Sequence, residues 1–180
     1  WLINNSYDGA SSYMNWVNNY LKAGPATKDD VRHQIFELFD QYDGPMDASE
    51  DQDHETSLYA EGNFVVGSPA ISADNWSGGI RFKAGANEEN HRAHEPHDFP
   101  ALPSQTSAQE AYLRVLEEAG ASHVRDAVDT RIVSEVKNGT ATYGNGIIDS
   151  QSEVGGYPAL QSLPAPLDRD RDGMPDAWET

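Results

Sequence analysis

The apolar residues of this chain change their period part-way along. Early on they come in short runs broken by Gly, Pro, Asn and Asp, and three runs read as strands: Trp16 to Leu21, Leu58 to Val66 and Gly79 to Phe82. Later the spacing turns helical. "TSAQEAYLRVLEEAG" sets Ala108, Ala111, Tyr112, Val115, Leu116 and Ala119 along one face, with Thr106 or Ser107 to cap the start and Gly120 the end. "RDAVDTRIVSEVKNG" does the same with Val128, Ile132, Val133 and Val136, closed by Asn138 and Gly139. One stretch fits two elements. In "TKDDVRHQIFELFDQYD", Val31, Ile35, Leu38 and Phe39 share a helical face, with Thr27 and Asp30 as an acidic form of the capping box. A strand over "VRHQIF" is the alternative. The acidic "DGPMDASEDQDHE" that follows reads as a solvated loop, and the Gly- and Pro-rich segment from Thr140 to Leu167 as a wrap or linker.

Two of the strand runs echo each other. "NNYLKAGP" and "GNFVVGSP" each carry an Asn followed six places later by Pro, and Asn19 and Asn63 are 44 residues apart. That spacing fits two coils of a solenoid whose turns take roughly 20–29 residues. Asn at one corner of successive coils can stack its amide into a hydrogen-bonded ladder. Two unrelated strands that end in turns are the alternative. In the solenoid reading the two helices cover an open end that would otherwise leave an apolar face in water.

Composition narrows the functional classes. Hydrophobic residues make up 37% of the 180, below the roughly 45–50% usual for globular domains, a figure that also counts glycine, and an elongated or loop-rich architecture is expected. No apolar run approaches the roughly 20 residues of a membrane-spanning helix. Thirty acidic against 12 basic residues give a formal charge of −18. That argues against a nucleic-acid partner and favours bound cations or a salty medium. Without cysteine there is no disulfide and no thiolate zinc site. The opening "WLINNSYDG" lacks Met and a signal-like apolar segment, which suggests a fragment.

The sharpest chemical motif is "DRDRDGMPDAWE". Read as a twelve-residue calcium loop, Asp168, Asp170 and Asp172 fill positions 1, 3 and 5, and Gly173 the sharp turn at 6. Met174 offers its carbonyl at 7, Asp176 stands at 9, and Glu179 at 12 is the bidentate ligand. Ca2+ seeks six to eight oxygens, and this spacing brings oxygens round one point; a disordered acidic tail is the alternative. The expected role is structural. "HRAHEPHDF" spaces His91, His94 and His97 at three-residue intervals, but Pro96 opposes a continuous helix, so a solvated loop is expected rather than a metal face. "NNS", "NWS" and "NGT" match glycosylation acceptors.

Several longer phrases, "NWVNNYLKAGPAT", "LYAEGNFVVGSPAISADNW" and "RDAVDTRIVSEVKNGTATYGNGIIDSQSEVGGYP", resemble the C-terminal part of bacterial pectate lyases, and the terminal loop resembles thrombospondin type-3 or dockerin-like calcium repeats. The resemblance implies an all-β fold: the final coils of a right-handed parallel β-helix, with long loops and two short capping helices. It divides the chain into coils and helices (1–139), a wrapping tail (140–167) and a calcium loop (168–180). It implies a secreted, calcium-dependent enzyme that cleaves polygalacturonate by β-elimination, with an arginine as base. In the family that arginine and most calcium aspartates lie N-terminal to the segment that Trp1 continues. No arginine here matches the motif, so no catalytic residue carries over and the N-terminal remainder of the enzyme is an expected partner. Lys22, Arg32 and Arg81 are candidates to touch a polyanionic substrate, each otherwise an ordinary surface charge. Trp16, Tyr20, Phe64 and Trp76 would stack on sugar rings or, at strand spacing, serve as core and ladder residues. A rival function is a β-helix module that binds glycan without cleaving it.

Overall fold

The computed structural model describes residues 12–39, 56–83, 85–100, 103–159 and 163–179. The opening "WLINNSYDG" and the acidic loop over 43–55 lie outside the described residues. The first strands are β1 (Ser12–Val17), β2 (Tyr20–Leu21) and β3 (Phe36–Phe39). A second set follows: β4 (Thr56–Glu61), β5 (Phe64–Val65) and β6 (Ile80–Lys83), with helix α1 (Pro69–Ala73) between the last two. Beyond them come α2 (Glu88–His91), α3 (Ala108–Glu118) and α4 (Ala127–Asn138).

Each strand of the first set pairs in parallel with one of the second, β1 with β4, β2 with β5 and β3 with β6. The register is constant: Ser12 meets Thr56, Tyr20 meets Phe64 and Phe36 meets Ile80, always 44 residues on. One step of this stack is therefore a single 44-residue turn, not two shorter ones. The excursion after Thr27 lengthens it.

The bend between β1 and β2 falls at Asn18, with φ of 55°, and its counterpart between β4 and β5 at Gly62, with φ of 68°. A Cβ on Gly62 would lie 2.1 Å from Asn18 Oδ1, so both the left-handed backbone and the coil below require glycine there. The same bends split the two strands expected over 16–21 and 58–66.

Beside the bend runs the asparagine ladder. Asn63 is fully buried. Its Oδ1 accepts from the Asn19 backbone N–H at 2.9 Å and from Asn19 Nδ2 at 2.8 Å. Its Nδ2 donates to Trp16 O at 2.6 Å and to Asn75 Oδ1 at 2.9 Å. Asn75 in turn donates to the Asn63 and Ile71 carbonyls. Asn75 is the acceptor residue of the "NWS" motif, and here it is buried and fully engaged.

Strand alternation sorts the side chains. Leu58 and Ala60, Phe36 and Leu38, Leu21 and Val65 fall in one core with Ile35, Ile71 and Ile80. Burying one such aliphatic side chain contributes about 1.5–3 kcal/mol. The helical reading of 27–39 fails because "FELF" alternates with period two and Phe36 and Leu38 are needed in that core. What remains of a helix is one 3-10 turn, Asp29–Val31, and Thr27 Oγ1 accepts from Gly24 N–H instead of capping it.

The expected helices form at the expected places. Ser107 and Glu110 close a capping box at the start of α3, Asp126 caps α4, and Gly139 ends α4 in the left-handed region. Tyr20 and Lys22 flank Leu21 and point away from the core, and α3 packs against that outward face. Tyr112 stacks on Tyr20 at 4.2 Å, and Tyr20 stacks on Phe64 at 5.1 Å. Ala108 is buried, whereas Val115 and Ile132 remain exposed. Beyond β4 the chain begins another pairing: Arg92 bridges Leu58 in parallel and Ala93 N–H donates to Leu58 O at 2.9 Å. Arg92 lays its guanidinium 4.9 Å over the Trp76 ring, which packs on the core.

Candidate functional site

Three places gather chemically active side chains. The first is the terminal turn. Asp168, Asp170 and Asp172 each present a carboxylate oxygen, all within 4.8 Å of one another, the single such metal-sized group among the described residues. Local hydrogen bonds shape it: Arg171 N–H and Gly173 N–H donate to the two oxygens of Asp168, and Met174 N–H to Asp172 Oδ1. Gly173 makes its turn with φ of 93°. Of the six expected ligands, these three aspartates converge. Asp176 stands apart, where its Oδ1 accepts from Arg169 N–H at 2.8 Å and its own N–H donates to Leu167 O, stitching the base of the turn. Glu179 is exposed and outside the group. The Met174 backbone lies at the turn, with its side chain half in solvent.

The second place is the face of β3 and β6 opposite the core. Glu37 sits across from Arg81 in the register, and its side chain is only 6% exposed. Lys83 Nζ lies 2.8 Å from Glu37 Oε1 and Arg81 Nε 3.6 Å from Oε2, with both cations about half exposed. A buried carboxylate is tolerable here because two cations share it. Of the three basic residues expected to meet substrate, Arg81 approaches Glu37 through Nε and its side chain is 44% exposed. Lys22 is spent on the fold: its Nζ donates to Lys137 O at 2.8 Å and to the Tyr112 hydroxyl at 3.3 Å, so it caps the C-terminus of α4 and ties it to β2. Arg32 holds its own turn through Asp29 Oδ1 and Thr27 O. Lys83 escaped the sequence reading, although the strand period in "IRFK" already places it on the face of Arg81.

The third place is a polar cleft of about 260 Å³ between β4, α1 and the residues after α2, lined among others by Tyr59, Glu61, Asp74, Trp76, Arg92 and His94. The Tyr59 hydroxyl bonds Glu61, and that bond, more than burial, holds the phenol above its ordinary pKa. Arg92 is also paired to Glu88 Oε1 at 2.5 Å. The four aromatics considered as sugar platforms are core and ladder residues: Trp16 is edge-on to Phe36, Tyr20 stacks on Phe64, and Trp76 lies against Phe82. The histidines are not a loose solvated loop. His91 is buried, His97 Nε2 lies 3.0 Å from Ser57 O, and only His94 is exposed. None joins a metal-sized group among the described residues.

With this geometry in view, similarity to curated proteins gives it a context. No family model matches the chain. A protein named "Probable pectate lyase C" from Aspergillus terreus is 31% identical over 172 residues, which cover 94% of this chain and 35% of that protein. The chain is related to pectate lyases. The protein of the same name from Aspergillus fumigatus is 28% identical over 93% of this chain and 35% of its own length. That from Aspergillus flavus is 39% identical over 47% of this chain and 20% of its own. These relatives are fungal, not the bacterial ones expected. The chain spans about a third of the length of the curated relatives that match it throughout. Among the described residues no helix is long and apolar enough to cross a membrane.

Proposed function

We propose that this chain is part of a secreted polysaccharide lyase that cleaves polygalacturonate by β-elimination. The observation that carries the reading is similarity to proteins named pectate lyase over 94% of the chain. In such a reaction a base removes the C5 proton of a uronate, the C4–O bond to the next sugar breaks, and the leaving oxygen is protonated. A C4=C5 double bond remains. Calcium bound at the uronate carboxylate would withdraw charge and acidify that proton. Removing it with an arginine is demanding, since that side chain stays protonated below about pH 12. We place that base and its calcium aspartates upstream of Trp1 and assign no catalytic residue to this chain.

The chain's own share is support and substrate contact. Its parallel pairings at a constant 44-residue step support final coils of a parallel β-helix. The convergence of Asp168, Asp170 and Asp172 supports a structural calcium turn. Arg81 is the retained candidate for contact with the acidic polymer.

The test is chemical. Longer protein containing this chain, given polygalacturonate and calcium, should release unsaturated uronides that absorb in the ultraviolet, and chelator should stop the release. Binding of polygalacturonate without any such product would replace the reading with the non-catalytic glycan-binding module. Neither product nor binding would remove both.

A further inference from the structure

We propose that α3 and α4 are one strap that opens from the strand stack as a unit while the stack stays folded, and that a latch of Lys22 and Tyr112 sets how often it opens. Within α3 only Ala108 is buried, and within α4 only Glu135. Among the described residues, the core of the stack runs from Met14 to Ala86 and takes no residue from either helix. A segment with so little buried apolar surface separates from its support at a lower free energy than the core unfolds.

The two helices are fastened to each other. Arg125, one residue ahead of the Asp126 cap of α4, donates through Nη2 to the Leu116 and Glu117 carbonyls at 2.7 Å and closes the C-terminus of α3. Gly120, in the turn between the helices, lies so near α4 that a Cβ there would stand 2.8 Å from Asp129 Oδ1. Releasing one helix alone breaks these contacts, so the pair moves together.

Both helices meet the stack at one spot. Lys22 Nζ reaches Lys137 O at the end of α4 and the Tyr112 hydroxyl in the middle of α3, and it lies 5.5 Å from the Tyr112 ring centroid. Gly139 ends α4 against the same lysine, where a Cβ would stand 3.6 Å from Lys22 Cε. Tyr112 extends the aromatic stack of Tyr20 and Phe64 by one ring. One cation and one ring on the outward face of β2 thus hold both helices, and opening uncovers the Tyr20 ring.

The test is hydrogen exchange of the longer protein containing this chain, read by mass spectrometry at several urea concentrations below unfolding. Peptides from α3 and α4 should share one opening equilibrium. It should be more frequent than that of peptides from β4 and β6, and less sensitive to urea because less surface is exposed. Lys22→Met keeps the apolar stem and removes the charged donor. It should make opening of both helices about tenfold more frequent and leave β4 and β6 unchanged. Tyr112→Ala should loosen both helices at least as much, whereas Tyr112→Phe keeps the ring and should stay within about threefold of the parent. Helices as well protected as β4 and β6, with the same urea dependence, would overturn the strap. A Lys22→Met variant that loosened α4 but not α3 would overturn the single unit, and one that loosened neither would overturn the latch.

Discussion

At the scale of single residues, the tightest constraint is amide chemistry at one corner. Asn63 engages its side-chain oxygen and nitrogen with Asn19, Asn75 and the Trp16 carbonyl, with no exposure to water. Asn63→Ala strands several of these buried groups at once, each worth roughly 1–3 kcal/mol. We expect a loss of about 3 kcal/mol in urea unfolding, well above the surface-mutation range. A loss below about 1 kcal/mol would mean that water replaces the ladder. Glu135, at the last turns of α4, gives a second prediction. Burial alone would raise its pKa, but hydrogen bonds from Thr142 and then Arg131 outweigh burial and hold it below the usual range. Its stabilisation is therefore present above the unfolded carboxyl pKa of about 4.3 and fades as pH falls through the lower folded value. Glu135→Gln should cost about 2 kcal/mol near pH 7, and the gap from the parent should close toward pH 3. An unchanging gap would point to shape rather than charge.

At the scale of elements, the capping chemistry of α3 was plain in the sequence. Ser107 accepts from Glu110 N–H, while the Glu110 carboxylate returns to the Ser107 N–H and hydroxyl, and these bonds hold the Glu110 pKa down. Ser107→Ala should destabilise the helix by about 1 kcal/mol, read as a lower thermal midpoint with reduced helical dichroism. If α3 were held only by the Tyr112–Tyr20 stack, the cap variant would leave the midpoint unchanged. The helices could be read because caps and 3.6-residue spacing are local signals. So was the asparagine corner, since "NNYLKAGP" and "GNFVVGSP" repeat it. By contrast β3 was hidden, because four residues of alternation in "FELF" also satisfy a helical face, and only pairing with β6 decides between them. The resting place of α3 was hidden too. Its contact with β2 depends on Tyr112 and Lys22, 90 residues apart, and no local pattern encodes that. At the sites, the aspartate spacing of the terminal turn was legible, whereas Glu37 and Lys83 emerged only once β3 lay beside β6.

At the scale of the whole molecule, charge imbalance is the dominant long-range term. Thirty acidic residues face 12 basic ones, and several of the ion pairs among the described residues join exposed partners, such as Arg114 with Glu118. Pairs of that kind contribute at most about 1 kcal/mol each, and salt weakens them. The self-repulsion of the surplus carboxylates is screened by the same salt, over a Debye length of about 10 Å at 0.1 M. With so large an excess of one sign, repulsion should win, so sodium chloride should raise the thermal midpoint between about 0.01 and 0.3 M. A falling midpoint would mean that the pairs outweigh the repulsion. Calcium should act on top of this and differently. If Asp168, Asp170 and Asp172 hold the ion together, millimolar calcium at fixed ionic strength should raise the midpoint beyond the sodium effect, because an ion that binds only the ordered turn stabilises it by mass action. Asp172→Ala should abolish the calcium increment and leave the sodium slope in place, since it removes one ligand but only one of 30 acidic groups. A variant that kept the full calcium increment would move the ion to other carboxylates, and a parent without one would leave the turn a hydrogen-bonded acidic loop.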